Sequence, residues 1–283
     1  MIYSMNNHTK VLSVKQISEL KKRYHRYLSP KTIPYVEYQI HLSDCTITVY
    51  ESHKVVFQGE SAEVYASAYD STFVAHSGSD EVGTGDVFGP VVVVACSIDA
   101  LHYERIKDYH IEDSKLLTDE YIQSIGSELM AKIPHSLLIL DNPKYNQVHK
   151  TNNLNQIKAK LHNQAYLHLK EKVNLPELNV IDQFTPETSY FKYLEGEKEI
   201  FKDLHFETKA ESKYLAVAVA SIIARYAFLQ QMDALSAQYH LNIPKGAGSL
   251  VDQTIHVFIE KYGVEALTKV AKVHFKNITN VLK

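Results

Sequence analysis

Two textures of apolar and polar positions run along this chain, and they change at about residue 72. In VKQISELKKRYHRYL, residues 14–28, Ile17, Leu20, Tyr24 and Leu28 recur at helical spacing, and Pro30 and Pro34 close the segment. YVEYQIHL, CTITVYES and KVVFQGE follow; these short alternating runs predict half-exposed strands joined by tight turns. Residues 1 to about 71 therefore read as a small α+β unit around a meander sheet.

From residue 72 the runs lengthen and strands alternate with helices. FVAHSGSD predicts a strand, and GPVVVVACSI a strand buried on both faces. EDSKLLTDEYIQSIGSELMAKI predicts a helix capped at Asp113-Ser114, and HSLLILD a further strand. LNQIKAKLHNQAYLHLKEKV predicts a long amphipathic helix, and LNVIDQF a short strand ending in an acid. KYLAVAVASIIARYAFLQQMDALSAQY predicts a long helix rich in small residues, with TIHVFIEKYG and ALTKVAKVH as closing helices. Alternation of this kind predicts an α/β domain with a mixed sheet over residues 72–283.

Composition narrows the classes. An apolar share of 45% suits a globular core, and a charged share of 22% argues against wholesale disorder. A net charge of -3 demands no polyanionic partner, so a nucleic-acid site would need its positive charge gathered in a groove. Cys45 and Cys96 lie in apolar runs and read as buried thiols of a reducing compartment. The first residues lack a basic-then-apolar leader pattern, and no window offers about 18 uninterrupted apolar residues. The expectation is a cytoplasmic protein without a membrane span.

The candidate chemistry centres on HSGSDEVGTGDVFGP, residues 76–90. Neighbouring side chains on a strand point to opposite faces, so Asp80 and Glu81 would share one site only if the strand broke between them. Gly83 and Gly85 supply that freedom, and backbone amides in such a turn can contact a phosphate or a sugar hydroxyl. The bland alternative is a hairpin turn with solvated acids. Asp182 closes LNVID at the carboxyl end of a strand, where open α/β sheets place ligands, although Asp141 in LLILD has the same local look. Glu211 starts the small-residue helix, where the helix dipole alone would favour an acid. Four carboxylates without His or Cys suit hard cations, Mg²⁺ or Mn²⁺. Paired ions of that kind can activate water and stabilise the leaving oxygen of a phosphodiester.

SDEVGTGDVFGPVVVVA resembles the signature of the ribonuclease HIII family, relatives of ribonuclease HII. DSKLL, NPKYNQVH, NLNQIKAKLHNQA, VIDQF, TKAESKYLAVAVASIIARYAFL, PKGAG and VHFKN match in the family's order and cover nearly all of residues 73–283. CTITVYESHKVVFQG resembles the strand pair of the family's N-terminal domain, similar in fold to the TATA-box-binding protein, with His53 where the family pattern carries a glycine. Ribonuclease HII lacks that domain.

The resemblance implies an RNase H-like mixed-sheet domain at 72–283 behind a hybrid-binding α+β domain at 1–71. It also implies metal-dependent cleavage of the RNA strand of an RNA–DNA hybrid, leaving 5′-phosphate and 3′-hydroxyl ends; a monomer is the separate expectation. Carried over by position, Asp80, Glu81 and Asp182 are metal ligands, and Glu211 is the fourth catalytic acid, with Glu187 its competitor. Gly83, Thr84 and Gly85 match the family's sensor of the 2′-hydroxyl, and Lys115 and Lys245 lie in loops that would reach phosphates. Arg225, inside a helix, could simply pair with an acid, and Lys21, Lys22, Arg23 and Arg26 could grip the hybrid or form a solvated face. Tyr35, Tyr38, Tyr50 and Phe57 could present a flat contact surface or pack under the helix. Rival readings are a hybrid-binding protein without activity, excision at single embedded ribonucleotides, and a nucleotide phosphatase or phosphate-loop protein; the absence of GxxxxGK[ST] argues against the phosphate-loop version.

Overall fold

The computed structural model describes residues 7–29, 33–70, 73–111 and 116–281. It divides into two compact units, residues 1–74 with 99–108, and residues 75–98 with 109–283. The expected boundary at residue 71 therefore needs one amendment: the segment Asp99–Asp108 returns to the first unit.

In the first unit, β1 (Asn7–Val11), β2 (Leu28–Ser29), β3 (Val36–His41), β4 (Thr46–Tyr50) and β5 (Lys54–Gln58) form an antiparallel sheet in the order β1-β5-β4-β3-β2. The alternation of Val36, Tyr38 and Ile40 with Glu37 and His41 buries one face. Helix α1 (Val14–Arg23) covers that face with Ile17 and Leu20, and a Ser13/Gln16 capping box starts it. Tyr38 and Phe57 belong to this core rather than to a contact surface, and the Tyr38 hydroxyl donates to Ile17 O at 2.9 Å. Strands β1 and β2 carry too few apolar residues to be predicted. SAEVYASAY supplies α2 (Ala62–Ser67). His53 holds φ 65°, so the β4–β5 turn keeps a glycine-like conformation without glycine. The returning segment carries α3 (Ala100–Ile106), whose Leu101 joins the same core. Arg105 donates to the Tyr65 hydroxyl at 2.9 Å, and Arg23 pairs with Asp99. Of the basic run on α1, Arg23 is thus committed within the fold.

The second unit is a three-layer α/β/α sandwich. Strands β6 (His76–Val82), β7 (Val91–Ile98), β8 (His135–Leu140), β9 (Leu178–Asp182) and β10 (His205–Glu207) form a mixed sheet, order β10-β9-β6-β7-β8. β10, β9 and β6 run parallel; β6, β7 and β8 pair antiparallel. β7 is buried along its whole length, as its unbroken valines predict. Helix α4 (Asp119–Lys132) starts from a Thr118 cap, later than expected; Asp113 and Ser114 lie outside the described residues. Asp141 is the N-cap of α5 (Asn142–Val148), which explains its resemblance to a site acid.

Helix α6 (Leu154–Lys172) lies on one face of the sheet, followed after β9 by α7 (Glu187–Tyr193), whose seven residues are too few to show a period although Tyr190 is buried. α8 (Leu215–Gln238) lies on the other face, packed on β6, β7 and α4. α8 is long and apolar enough to cross a membrane by length and composition, and 72% of its most apolar 18-residue window is buried inside the fold, as in a core helix. Gly78 is what lets it come so close: a Cβ there would lie 2.4 Å from the backbone nitrogen of Val217. The chain closes with α9 (Ser249–Tyr262), the short α10 (Val264–Leu267) and α11 (Lys276–Val281), so ALTKVAKVH is helical only at its start. Cys45 and Cys96 are free and buried.

Candidate active site

The strand does not break at the paired acids. β6 runs through both, with Asp80 opposite Val94 and Glu81 opposite Val93. The pleat therefore sends the two carboxylates to opposite faces, contrary to the expected kink. His76, Gly78 and Asp80 face α8: His76 Nε2 accepts from Ala216 N at 3.1 Å, Gly78 touches Val217, and Ser221 hydrogen-bonds Asp80. Ser77, Ser79 and Glu81 face α6.

β6 and β9 pair in parallel up to Ser79 and Ile181, and β10 pairs Glu207 with Asp182. The next residues of the first pair are Asp80 and Asp182. Three carboxylates thus stand in one row across adjacent strands about 4.8 Å apart. Asp80 is 9% exposed. Burial first, then the charges of Glu81 and Asp182, push its carboxyl well above the ordinary range, against the opposing Ser221 hydrogen bond. Asp182 Oδ1 accepts from Ala210 N at 2.9 Å, which ties the strand end to the 3-10 turn Ala210–Ser212. That turn, rather than the first turn of α8, holds Glu211, which is buried. Glu211 also lines a cleft of about 410 Å³ with Ile111, Leu116, Lys213, Tyr214 and Ala218. Glu187 is an exposed residue at the start of α7.

Glu81 has its own company. Lys158 Nζ donates to Oε1 at 2.6 Å, and His162 Nε2 lies 2.9 Å from Oε2. The other nitrogen of His162 lies 2.8 Å from Ser79 Oγ. Burial pushes the Glu81 carboxyl up, but His162 and Lys158 outweigh it and hold it at about 2. Lys158 Nζ also sits 3.9 Å from the centre of the Phe184 ring. Lys158 and His162 were legible as an i, i+4 polar pair inside NLNQIKAKLHNQA, yet their partner was not. Glu207, salt-bridged to Lys213 at 2.6 Å, carried no sequence signal beyond its charge.

The glycine turn follows directly. Gly83 has φ +89°, and a Cβ there would lie 2.1 Å from Pro90 O. Gly85 is exposed, with nothing within 4 Å of its would-be Cβ. Thr84 is half-buried. The PKGAG loop packs on this turn: Gly246 N donates to Asp86 Oδ1 at 2.5 Å, and Val87 N to Gly246 O at 3.0 Å. Lys245 pairs with Asp119, and Arg225 donates to the same carboxylate at 2.6 Å. Arg225 thus does pair with an acid. Lys115 lies outside the described residues.

Among the described residues, no three His, Cys, Asp or Glu side chains converge closely enough to be a finished metal centre. Glu81, turned onto Lys158, is one reason. Asp80, Asp182 and Glu211 still offer hard oxygen donors, and the raised Asp80 carboxyl marks surplus negative charge that a cation would relieve.

The family model for ribonuclease HII matches residues 77–278. The chain belongs to the ribonuclease HII family. A model for a domain of unknown function, DUF3378, matches residues 7–81. Ribonuclease HIII of Bacillus cereus strain ATCC 14579 is 41% identical over 94% of this chain and 95% of its own. The crystal structure of Bst-RNase HIII in complex with Mn²⁺ superposes with TM-score 0.72 at 36% identity, covering 98% of both chains. The structure of Aquifex aeolicus RNase H3, at 23% identity and TM-score 0.59, shares the fold over 95% of this chain. Within the family this chain stands with ribonuclease HIII, enzymes that hydrolyse the RNA strand of RNA–DNA hybrids. The ribonuclease H-like fold, the nuclease class and the HIII resemblance expected from sequence all hold.

Proposed function

We propose that this ribonuclease H cuts within runs of ribonucleotides by divalent-metal-assisted hydrolysis, leaving 5′-phosphate and 3′-hydroxyl ends. The observation that carries the reading is the row of Asp80 and Asp182 on adjacent parallel strands, with Glu211 beside Ala210, the donor to Asp182. Asp80, Asp182 and Glu211 are the residues that would hold Mg²⁺ or Mn²⁺. When bound, such an ion supplies a Lewis acid for the attacking water and for the leaving 3′ oxygen. Bst-RNase HIII, whose structure contains Mn²⁺, supports the choice of ion class.

The chain's own residues do the rest. Ser221 and the Glu81 N–H, 2.8 Å from Asp80 Oδ1, orient the Asp80 carboxylate. Lys158 and His162 keep Glu81 charged and turned toward α6, so Glu81 would have to leave Lys158 before it could serve as a ligand beside Asp80. Glu211, buried where Glu187 is exposed, is the better fourth acid. Backbone N–H groups of Gly83-Thr84-Gly85 would read the ribose 2′-hydroxyl. Lys245 and Lys115 would contact phosphates, Lys245 by leaving Asp119. In the first unit Lys22 and Arg26 are exposed and available to the hybrid backbone. We take the working form as a cytoplasmic monomer, consistent with two unpaired thiols.

The test is cleavage of a DNA–RNA–DNA/DNA duplex carrying four ribonucleotides, beside one carrying a single ribonucleotide, with Mg²⁺, Mn²⁺ or EDTA. Metal-dependent cuts within the four-ribonucleotide tract, lost in Asp80→Asn, are expected. Efficient cutting at the single ribonucleotide would replace this reading with embedded-ribonucleotide excision, and hybrid binding without cleavage would leave a binding protein.

A further inference from the structure

Lys272 is the most deeply buried lysine among the described residues of the second unit: it is 0% exposed and lies between α10 and α11, far along the chain from the acids. Buried lysines ordinarily meet a carboxylate. This one donates to two main-chain carbonyls, Asp86 O at 2.9 Å and Gly89 O at 2.6 Å, and its Nζ lies 5.8 Å from the centre of the Tyr145 ring. The Asp86 carboxylate is engaged elsewhere, by Gly246 N. A methionine would fill similar volume without the cost of desolvating an amine, so the donors themselves are what the site uses.

Those donors fix the exit of the glycine turn. Lys272 N donates to Val87 O at 2.8 Å, Gly89 N to Val270 O at 3.0 Å, and Asn142 Nδ2 to Gly89 O at 2.8 Å. Phe88 and Ala271 form an isolated antiparallel bridge. Gly83 to Gly85 themselves lie beyond the end of β6, and the bond from Asp86 N back to Gly83 O is long, 3.4 Å. Gly83 is seated on Pro90 and Phe228, and the placement of Thr84 and Gly85 depends on the pinned residues 86–89 that follow them.

We propose that Lys272 is a positioning residue for ribose recognition: by clamping the carbonyls of Asp86 and Gly89, it sets where the Gly83-Thr84-Gly85 amides meet a 2′-hydroxyl. The proposal rests on the reading of that turn as the 2′-hydroxyl sensor.

The experiment compares single-turnover cleavage of the four-ribonucleotide substrate with one in which the nucleotide 5′ to the scissile phosphate is 2′-deoxy. Wild type should favour the hydroxyl by about 10⁴-fold, the scale on which sites built to bond a hydroxyl reject its absence. In Lys272→Met that preference should shrink by about 10-fold, the order expected from a misplacement of under 1 Å, with Lys272→Gln between the two. Amide exchange at Gly83–Gly85 should quicken in Lys272→Met while β7 stays protected. If Lys272→Met does not fold, Asn142→Ala removes the other side-chain donor to Gly89 O and carries the same test. Equal loss of rate on both substrates, or no loss, overturns the positioning role. A wild type indifferent to the 2′-hydroxyl overturns the sensor reading itself, and is recognised before any variant is made.

Discussion

Replacing Gly78 by alanine tests the link between the packing of α8 and the chemistry at Asp80. The added methyl would meet Val217 N at 2.4 Å, Ala216 C at 2.7 Å and Val217 Cγ2 at 2.7 Å. Ordinary contact begins about 1 Å further out. Two of those three atoms are backbone, so no rotamer change relieves the clash, and α8 must withdraw from β6. Overpacking of this kind costs about 1–3 kcal/mol. The backbone contacts place Gly78→Ala at the upper end, about 3 kcal/mol, which lowers the melting midpoint by roughly 6–12 °C in a domain of this size.

The displacement reaches the site, because Ser221 lies one helical turn beyond Val217 and hydrogen-bonds Asp80. A shift approaching 1 Å there should lower the cleavage rate by about 10–100-fold at temperatures where the fold is intact. Urea titration and single-turnover cleavage at 25 °C measure the two effects on one preparation. Stability within about 0.5 kcal/mol of wild type, with the full rate, would show that α8 does not rest on β6 in this way.

Asp80→Asn should abolish cleavage and, in metal-free buffer, raise stability by roughly 1 kcal/mol, since it removes a buried charge that Glu81 and Asp182 repel; thermal melts with EDTA check it. Lys158→Met leaves Glu81 buried with His162 alone and should cost about 3 kcal/mol at pH 7, read by urea titration. Burial holds the Lys272 amine down to about 7 against its ordinary 10.5. Between those values the unfolded chain binds the extra proton, so stability rises with pH. Relative to Lys272→Met, wild type should gain about 2 kcal/mol from pH 7 to pH 9, and a flat difference would refute the assignment.

Much of the second unit was legible because its strands and helices announce themselves by period. The valine run of β7 and the alanine-rich α8 each admit one place in a layered sheet. Less was legible where tertiary pairing makes the element. β10 is three residues long, and α7 carries charge on an irregular pattern. The site acids were legible as types and positions, but the side each faces was not. Period-2 geometry already forbade Asp80 and Glu81 a common face; the glycines that seemed to relieve this act two residues later, after the strand has ended. Lys272 escaped notice because a lysine next to a short apolar run looks solvated until the fold closes over it.

The return of Asp99–Asp108 to the first unit has a consequence for dissecting the protein. The hairpin of β6 and β7 is, in chain terms, an insertion: the N-terminal unit starts before it and is completed after it. Emerging from a ribosome, that unit must wait for α3, with Leu101, Phe73's stacking partner Tyr103 and the Asp99 that pairs with Arg23. A cut at residue 74 therefore does not yield two modules. It strips the front piece of its last helix and leaves the back piece trailing an apolar one, so swapping or deleting the N-terminal unit requires exchanging two stretches of gene together.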